Sequence, residues 1–216
     1  MVSIATCPIL APIKLTISLS GVVFAYISSY ILTKNINIQK PLHPLRRSVL
    51  QATFRISGRM FAFGLGFFHI REVNKQFKPD LEKCHVCISN HVSSLDPAAY
   101  ISLGFQSFIS KEEVKHIPCI GATCWANQGL FVKREDKESS AALQAEMKRR
   151  ISDDIQDIGL PRKYPALVVF PESMTENQMA LLPFKRGAFV PGKPVSMCCI
   201  RYDGRFFQFV NVDEFA

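Results

Sequence analysis

The chain has 216 residues, with 26 Lys and Arg against 18 Asp and Glu, a net charge of +8, and 48% hydrophobic residues including 17 Phe. That length holds one domain with a sizeable core, and that composition excludes a disordered, collagen-like or low-complexity chain. The basic excess points to anionic partners: phosphates, nucleic acid or an acidic membrane surface.

From Leu15 to Leu32 there is no charged side chain. A helix over about 15–32 approaches the hydrocarbon thickness of a bilayer. The hydroxyls of Ser18, Ser20, Ser28 and Ser29 can bond back to helix carbonyls. No basic region precedes Lys14 and no small-residue cleavage site follows, so the segment reads as an anchor rather than a cleaved signal. It is either a full span or a re-entrant hairpin. Lys34, Lys40, Arg46 and Arg47 flank its far end and place the bulk of the chain on the cytosolic side. Past Pro41 and Pro44, residues 45–68 read as an amphipathic helix with Arg46, Arg47, Arg55 and Arg59 among Leu50, Phe54, Met60, Phe61 and Phe63. Its place is the membrane interface or an ordinary core. Residues 1–68 thus form an anchoring region and 69–216 a second unit.

From His69 onward short apolar strands are expected near 85–89, 105–109, 129–133, 166–170, 195–201 and 205–210, and helices near 97–103, 118–127 and 138–158. The alternation predicts an α/β fold: a mixed, mostly parallel sheet flanked by helices. In the last helix Ala142, Leu143, Met147, Ile151, Ile155 and Ile158 have helical spacing and should pack on the sheet. Lys148 to Arg150 reads as its solvated face, Trp125 as core, and Cys198 and Cys199 as inert thiols on opposite faces of a strand. The seven Cys are odd in number and sit mostly in apolar runs, which suits buried thiols in a reducing compartment rather than a disulfide framework.

The chemistry gathers after the first strand. Asp96 before Pro97 predicts a helix start with Asp as its cap. His91 then lies in the turn between strand and helix, where open α/β sheets present reactive groups. Asp96, five residues on, can hold one imidazole nitrogen and raise the basicity of the other. No G-x-S-x-G occurs, so a serine hydrolase elbow is disfavoured. Cys84, His85, Cys87 and His91 imitate a zinc set, but they run along a strand whose alternate side chains diverge, with no second ligand pair. No metal is expected. Lys133, Arg134, Lys137, Arg149 and Arg150 lack aromatic interleaving, so no nucleic acid is expected.

Four blocks then follow in order: Asn90-His91 with Asp96; Phe131 with Arg134; Phe170-Pro171-Glu172-Ser173; and Phe184 to Phe189 with Lys185, Arg186 and Gly187. Together they resemble the glycerolipid acyltransferase family, over about 70–210 and nearest its lysophosphatidylcholine acyltransferase-like branch. Lys111-Glu112, Ile117-Pro118 and Gly121 resemble its connecting segment. The sequence departs from the family at Ser173-Met174, where the family has Gly-Thr, and at Met197, where proline is common. It ends at Ala216, where many relatives continue, which reads as a short form or a fragment.

The resemblance implies acyl-CoA as co-substrate, no other cofactor, and a lysophospholipid or glycerophosphate acceptor. It implies a membrane location, in the endoplasmic reticulum, with the catalytic part facing the cytosol. It makes His91 and Asp96 the catalytic pair, and Asn90, Lys111, Phe131, Arg134, Phe170, Pro171, Glu172, Ser173, Lys185 and Gly187 the substrate-binding set. The chemistry agrees. A histidine titrates near neutral pH and serves as a general base for an alcohol, while the leaving thiol needs little acid help. Two other functions fit the same residues: a non-catalytic lipid-binding relative, motivated by Ser173-Met174, and a thioester hydrolase that turns the base on water.

Overall fold

The structure is a computed structural model that describes residues 7–73, 85–104, 107–155, 164–175 and 181–202. Two helices open it, α1 (Cys7–Thr33) and α2 (Pro44–Gly64). An α/β unit follows: β1 (Val86–Ser89), α3 (Asp96–Leu103), β2 (Ser107–Lys111), α4 (Ile120–Ala126), β3 (Leu130–Val132), α5 (Lys137–Ile155), β4 (Leu167–Val169) and β5 (Val195–Cys198). The strand order is β3-β2-β4-β1-β5. Every pairing among the described strands is parallel, with Cys87 beside Val168 and Phe108 beside the same residue on the other side. The strand expected at 205–210 lies outside the described residues.

The runs Val86-Cys87-Ile88 of β1 and Leu167-Val168-Val169 of β4 are apolar at each position because both faces are covered. Val86, Ile88, Leu167 and Val169 meet Met147 and Ile151 of α5 on one face, with Leu143 beside them. Cys87, Val168 and Phe108 meet Tyr100 of α3 on the other. Ala142, expected on the packed face of α5, is exposed.

The N-terminal helices follow a different rule. The buried face of α1 is small and polar: Ser18, Ala25, Ser28, Ser29 and Thr33, with Gly21 in line. Its exposed face is large and apolar: Leu19, Val23, Ile27 and Ile31, the last 64% exposed. Small residues let two helix backbones approach closely. A Cβ on Gly21 would lie 2.9 Å from Met60 Cβ, and one on Gly64 2.5 Å from the Lys14 carbonyl. Two buried hydroxyls return to their own helix, Ser29 to Ala25 O at 2.7 Å and Thr33 to Ser29 O at 2.7 Å, while Ser18 donates across to Phe61 O of α2 at 3.4 Å.

α1 also packs on α4, and α2 on α3. Ile38 and Leu42 of the linker share a cluster with Ala25, Leu50, Phe54 and Ala126, so the anchoring region and the α/β unit have a common core. Polar ties reinforce it. Gln128 Nε2 donates to Ile38 O and Lys40 O, both at 2.9 Å. Arg150, expected on a solvated face, is 4% exposed; its guanidinium donates to Gln128 O at 2.7 Å and Glu146 Oε1 at 2.8 Å. The Gln128 carbonyl and the Tyr164 ring, 5.0 Å from its guanidinium, receive it, and no helical periodicity announces them. Trp125, expected in the core, is 43% exposed: in the short helix α4 it is Gly121 and Ala126 that are buried.

Candidate active site

The site is built at the carboxyl end of β1. Asp96 is the first residue of α3 and wholly buried, but it does not cap that helix as expected. Its carboxylate instead turns back onto the preceding loop. Oδ2 accepts from the backbone N–H of Val92 at 2.7 Å and of Ser93 at 3.1 Å, and from His91 Nδ1 at 2.8 Å. Oδ1 accepts from the Tyr202 hydroxyl at 2.7 Å. Four donors fix the carboxylate's orientation. They set the tautomer of His91 and leave Nε2 as the ring nitrogen available to a substrate. Burial and Asp96 push the Tyr202 hydroxyl well above its ordinary range, so it stays a donor. The imidazole stacks on Phe170, ring centres 4.2 Å apart.

Asn90 uses both ends of its amide on Ile200, donating to its carbonyl at 2.9 Å and accepting from its N–H at 2.8 Å. It thereby pins the loop to the end of β5. Beneath, the Tyr100 hydroxyl donates to Ser89 Oγ at 2.6 Å.

His91 opens on a cavity of about 1330 Å³. Its lining includes the cations Lys111, Arg134 and Lys185 and, from the helix pair, the apolar Val22, Ala25, Phe54 and Phe61. Phe170, Pro171, Ser173 and Gly187 also line it. Arg134 donates to the Ser173 carbonyl, and burial draws its guanidinium below its usual pKa, opposed by Glu113 and Glu135. Ser173 has φ +68°, a conformation glycine adopts without cost. The Ser173 N–H donates to Phe170 O at 3.1 Å and the Lys185 N–H to Pro171 O at 3.0 Å, which sets the third and fourth blocks against each other.

Three expected binding residues lie outside the cavity lining, Asn90 among them. Glu172 is 4% exposed and buried within the loop, outside the cavity lining. Phe131 also lies outside the lining: strand alternation turns it away from Val132, and Lys115 Nζ sits over its ring at 5.2 Å. Met197 is exposed on β5. Cys87 is buried in the sheet, and Cys84 lies outside the described residues.

Sequence motifs do not mark Tyr202 as part of the site. It lies 106 residues from Asp96, in no recognisable motif; the one pointer is a Tyr just past a strand that must end beside the first.

The family model described as Acyltransferase matches residues 68–191. The chain belongs to the acyltransferase family. Lysophospholipid acyltransferase LPCAT4 of Mus musculus is 32% identical over 83% of this chain and 32% of its own length. Lysophosphatidylcholine acyltransferase 2 of Homo sapiens is 31% identical over 77% of this chain and 30% of its own. This acyltransferase chain spans about a third of the length of those curated relatives. The crystal structure of the 1-acyl-sn-glycerophosphate acyltransferase PlsC from Thermotoga maritima shares the fold, with a TM-score of 0.60 and 16% identity over 87% of this chain and 70% of that one.

Proposed function

We propose that this chain moves an acyl group from acyl-CoA to the hydroxyl of a lysophospholipid or glycerophosphate. The observation that carries the reading is the His91–Asp96 pair, joined at 2.8 Å, facing a cavity lined by cations and by apolar side chains of the helix pair. In this reaction His91 Nε2 takes the acceptor's hydroxyl proton as its oxygen attacks the thioester carbonyl. The tetrahedral intermediate then expels the CoA thiolate, which takes the proton back from the imidazolium. Asp96 holds the ring and stabilises its charged form. Arg134, Lys111 and Lys185 supply charge for the acceptor or CoA phosphates. The apolar side chains shelter an acyl chain from water.

The outward apolar face of α1 supports a membrane setting. α1 is, among the described residues, the one helix long and apolar enough to cross a bilayer. The docked α1–α2 linker and the packing of both helices along the α/β unit suit a helix pair lying in one leaflet. The basic residues around the linker favour the cytosolic face, and the endoplasmic reticulum is the compartment we infer.

The test is transfer of label from acyl-CoA in membranes carrying the protein, across lysophosphatidylcholine, lysophosphatidylethanolamine, lysophosphatidate and glycerol 3-phosphate. His91→Ala should lower the rate by about 10²–10⁴-fold or more. Equal rates in the variant would refute the base, and free fatty acid as the sole product would make the protein a hydrolase.

A further inference from the structure

We propose that Tyr202 is a positioning residue for the His91–Asp96 pair, and that its contact with Phe67 makes the pair answer to the seating of the N-terminal helices. The inference rests on His91 and Asp96 acting as proposed above.

Asp96 has two oxygens with different work. Oδ2 is taken by the loop and the imidazole, whereas the Tyr202 hydroxyl donates to Oδ1 at 2.7 Å. A hydrogen bond to an ionised acceptor in a buried site is strong and directional. It draws charge away from Oδ2 and fixes rotation about the carboxylate's bond. Tyr202 therefore governs both how firmly Asp96 holds the imidazole and how strongly it stabilises the imidazolium. The charged and titratable groups around the pair are Tyr100 beneath it and Arg134, Lys111 and Lys185 across the cavity.

The phenol ring is itself held from the far side. Phe67 meets it edge-on, with centroids 5.7 Å apart. Phe67 follows α2 directly, and its N–H donates to Ala62 O at 2.9 Å. Next to it Phe68 packs edge-on against Phe63 and carries Lys14 of α1 at 5.0 Å from its ring centre. The point where α1 and α2 meet is thus two side chains from the catalytic carboxylate. A bilayer that seats those helices also seats Phe67 against Tyr202.

The test compares Tyr202→Phe, Phe67→Ala and the double variant in full-length protein, with His91→Ala as control. Tyr202→Phe keeps the ring and removes the donor. Its kcat should fall about 5–20-fold with KM within about twofold, and the acid limb of the pH–rate profile should move upward, since a carboxylate with one donor fewer stabilises the imidazolium more. Replacing Tyr202 by 3-fluorotyrosine, a better donor of the same shape, should move that limb downward. The proton resonance of the His91–Asp96 hydrogen bond should move in both variants. Phe67→Ala should lower kcat in vesicles several-fold and add nothing to Tyr202→Phe.

An unmoved pH profile and proton resonance in both Tyr202 variants, with His91→Ala inactive, would overturn the proposal and leave the base intact. Additive losses from Phe67→Ala and Tyr202→Phe would remove the link to the helices. Full activity in His91→Ala would instead remove the reading on which the proposal stands, and the resonance would still report whether Tyr202 orders the pair.

Discussion

The helix pair and the sheet are packed by opposite rules within one chain. In the sheet the largest apolar side chains face inward, and Val168 is 0% exposed. In α1 the small and hydroxylated residues face inward and the large apolar ones face out. In water only the first arrangement gains from burial. In lipid a Leu gains nothing by turning inward, and close backbone contact through small residues becomes the source of adhesion. The sheet follows the first rule and α1 does not.

Truncating Phe54 to Ala is the strongest way to break this comparison. Its ring is 2% exposed and joins both regions in one cluster. The expected loss is about 3–5 kcal/mol, seen as a single cooperative unfolding transition at lower denaturant; loss of the helix pair alone would show that the core is not shared. Gly64→Ala comes next. Its added methyl would sit 2.5 Å from Ser18 Cβ and the Lys14 carbonyl, so the helices must part, at about 1–3 kcal/mol; unchanged thermal stability would disprove the close contact. Ile27→Ser combined with Ile31→Ser sharpens the comparison. Both side chains are largely exposed, so stability in detergent should change by less than about 0.5 kcal/mol. Recovery on vesicles should fall about tenfold; equal recovery would mean that this face does not meet lipid. Smallest is Ser173→Gly, which should raise stability by about 0.5–1 kcal/mol by relieving φ +68°; a loss would mean that the serine hydroxyl contributes more than the strain it carries.

Local patterns were readable in the sequence. The runs Val86-Cys87-Ile88 and Leu167-Val168-Val169 announce strands covered on both faces, and His91 with Asp96 across a strand–helix turn announces a pair. Features set by long-range docking were not readable. Asp96 looked like a cap because Pro97 follows it, yet the loop offers its carboxylate more donors than the helix does. Arg150 looked solvated because its neighbours Lys148 and Arg149 are charged; the Gln128 carbonyl that receives it is 22 residues away. Glu172 looked like a ligand for substrate from its motif, whereas the turn buries it. The orientation of α1 was also hidden, since an apolar run with scattered serines does not say which solvent lies outside.

The grip of Gln128 on the linker has a consequence for biosynthesis. The carbonyls it binds at Ile38 and Lys40 precede it by 90 and 88 residues. At about 5–20 residues per second, the ribosome makes those carbonyls roughly 4–18 s before the side chain that binds them. During that interval the helix pair stands without the two hydrogen bonds that later hold its linker to the α/β unit.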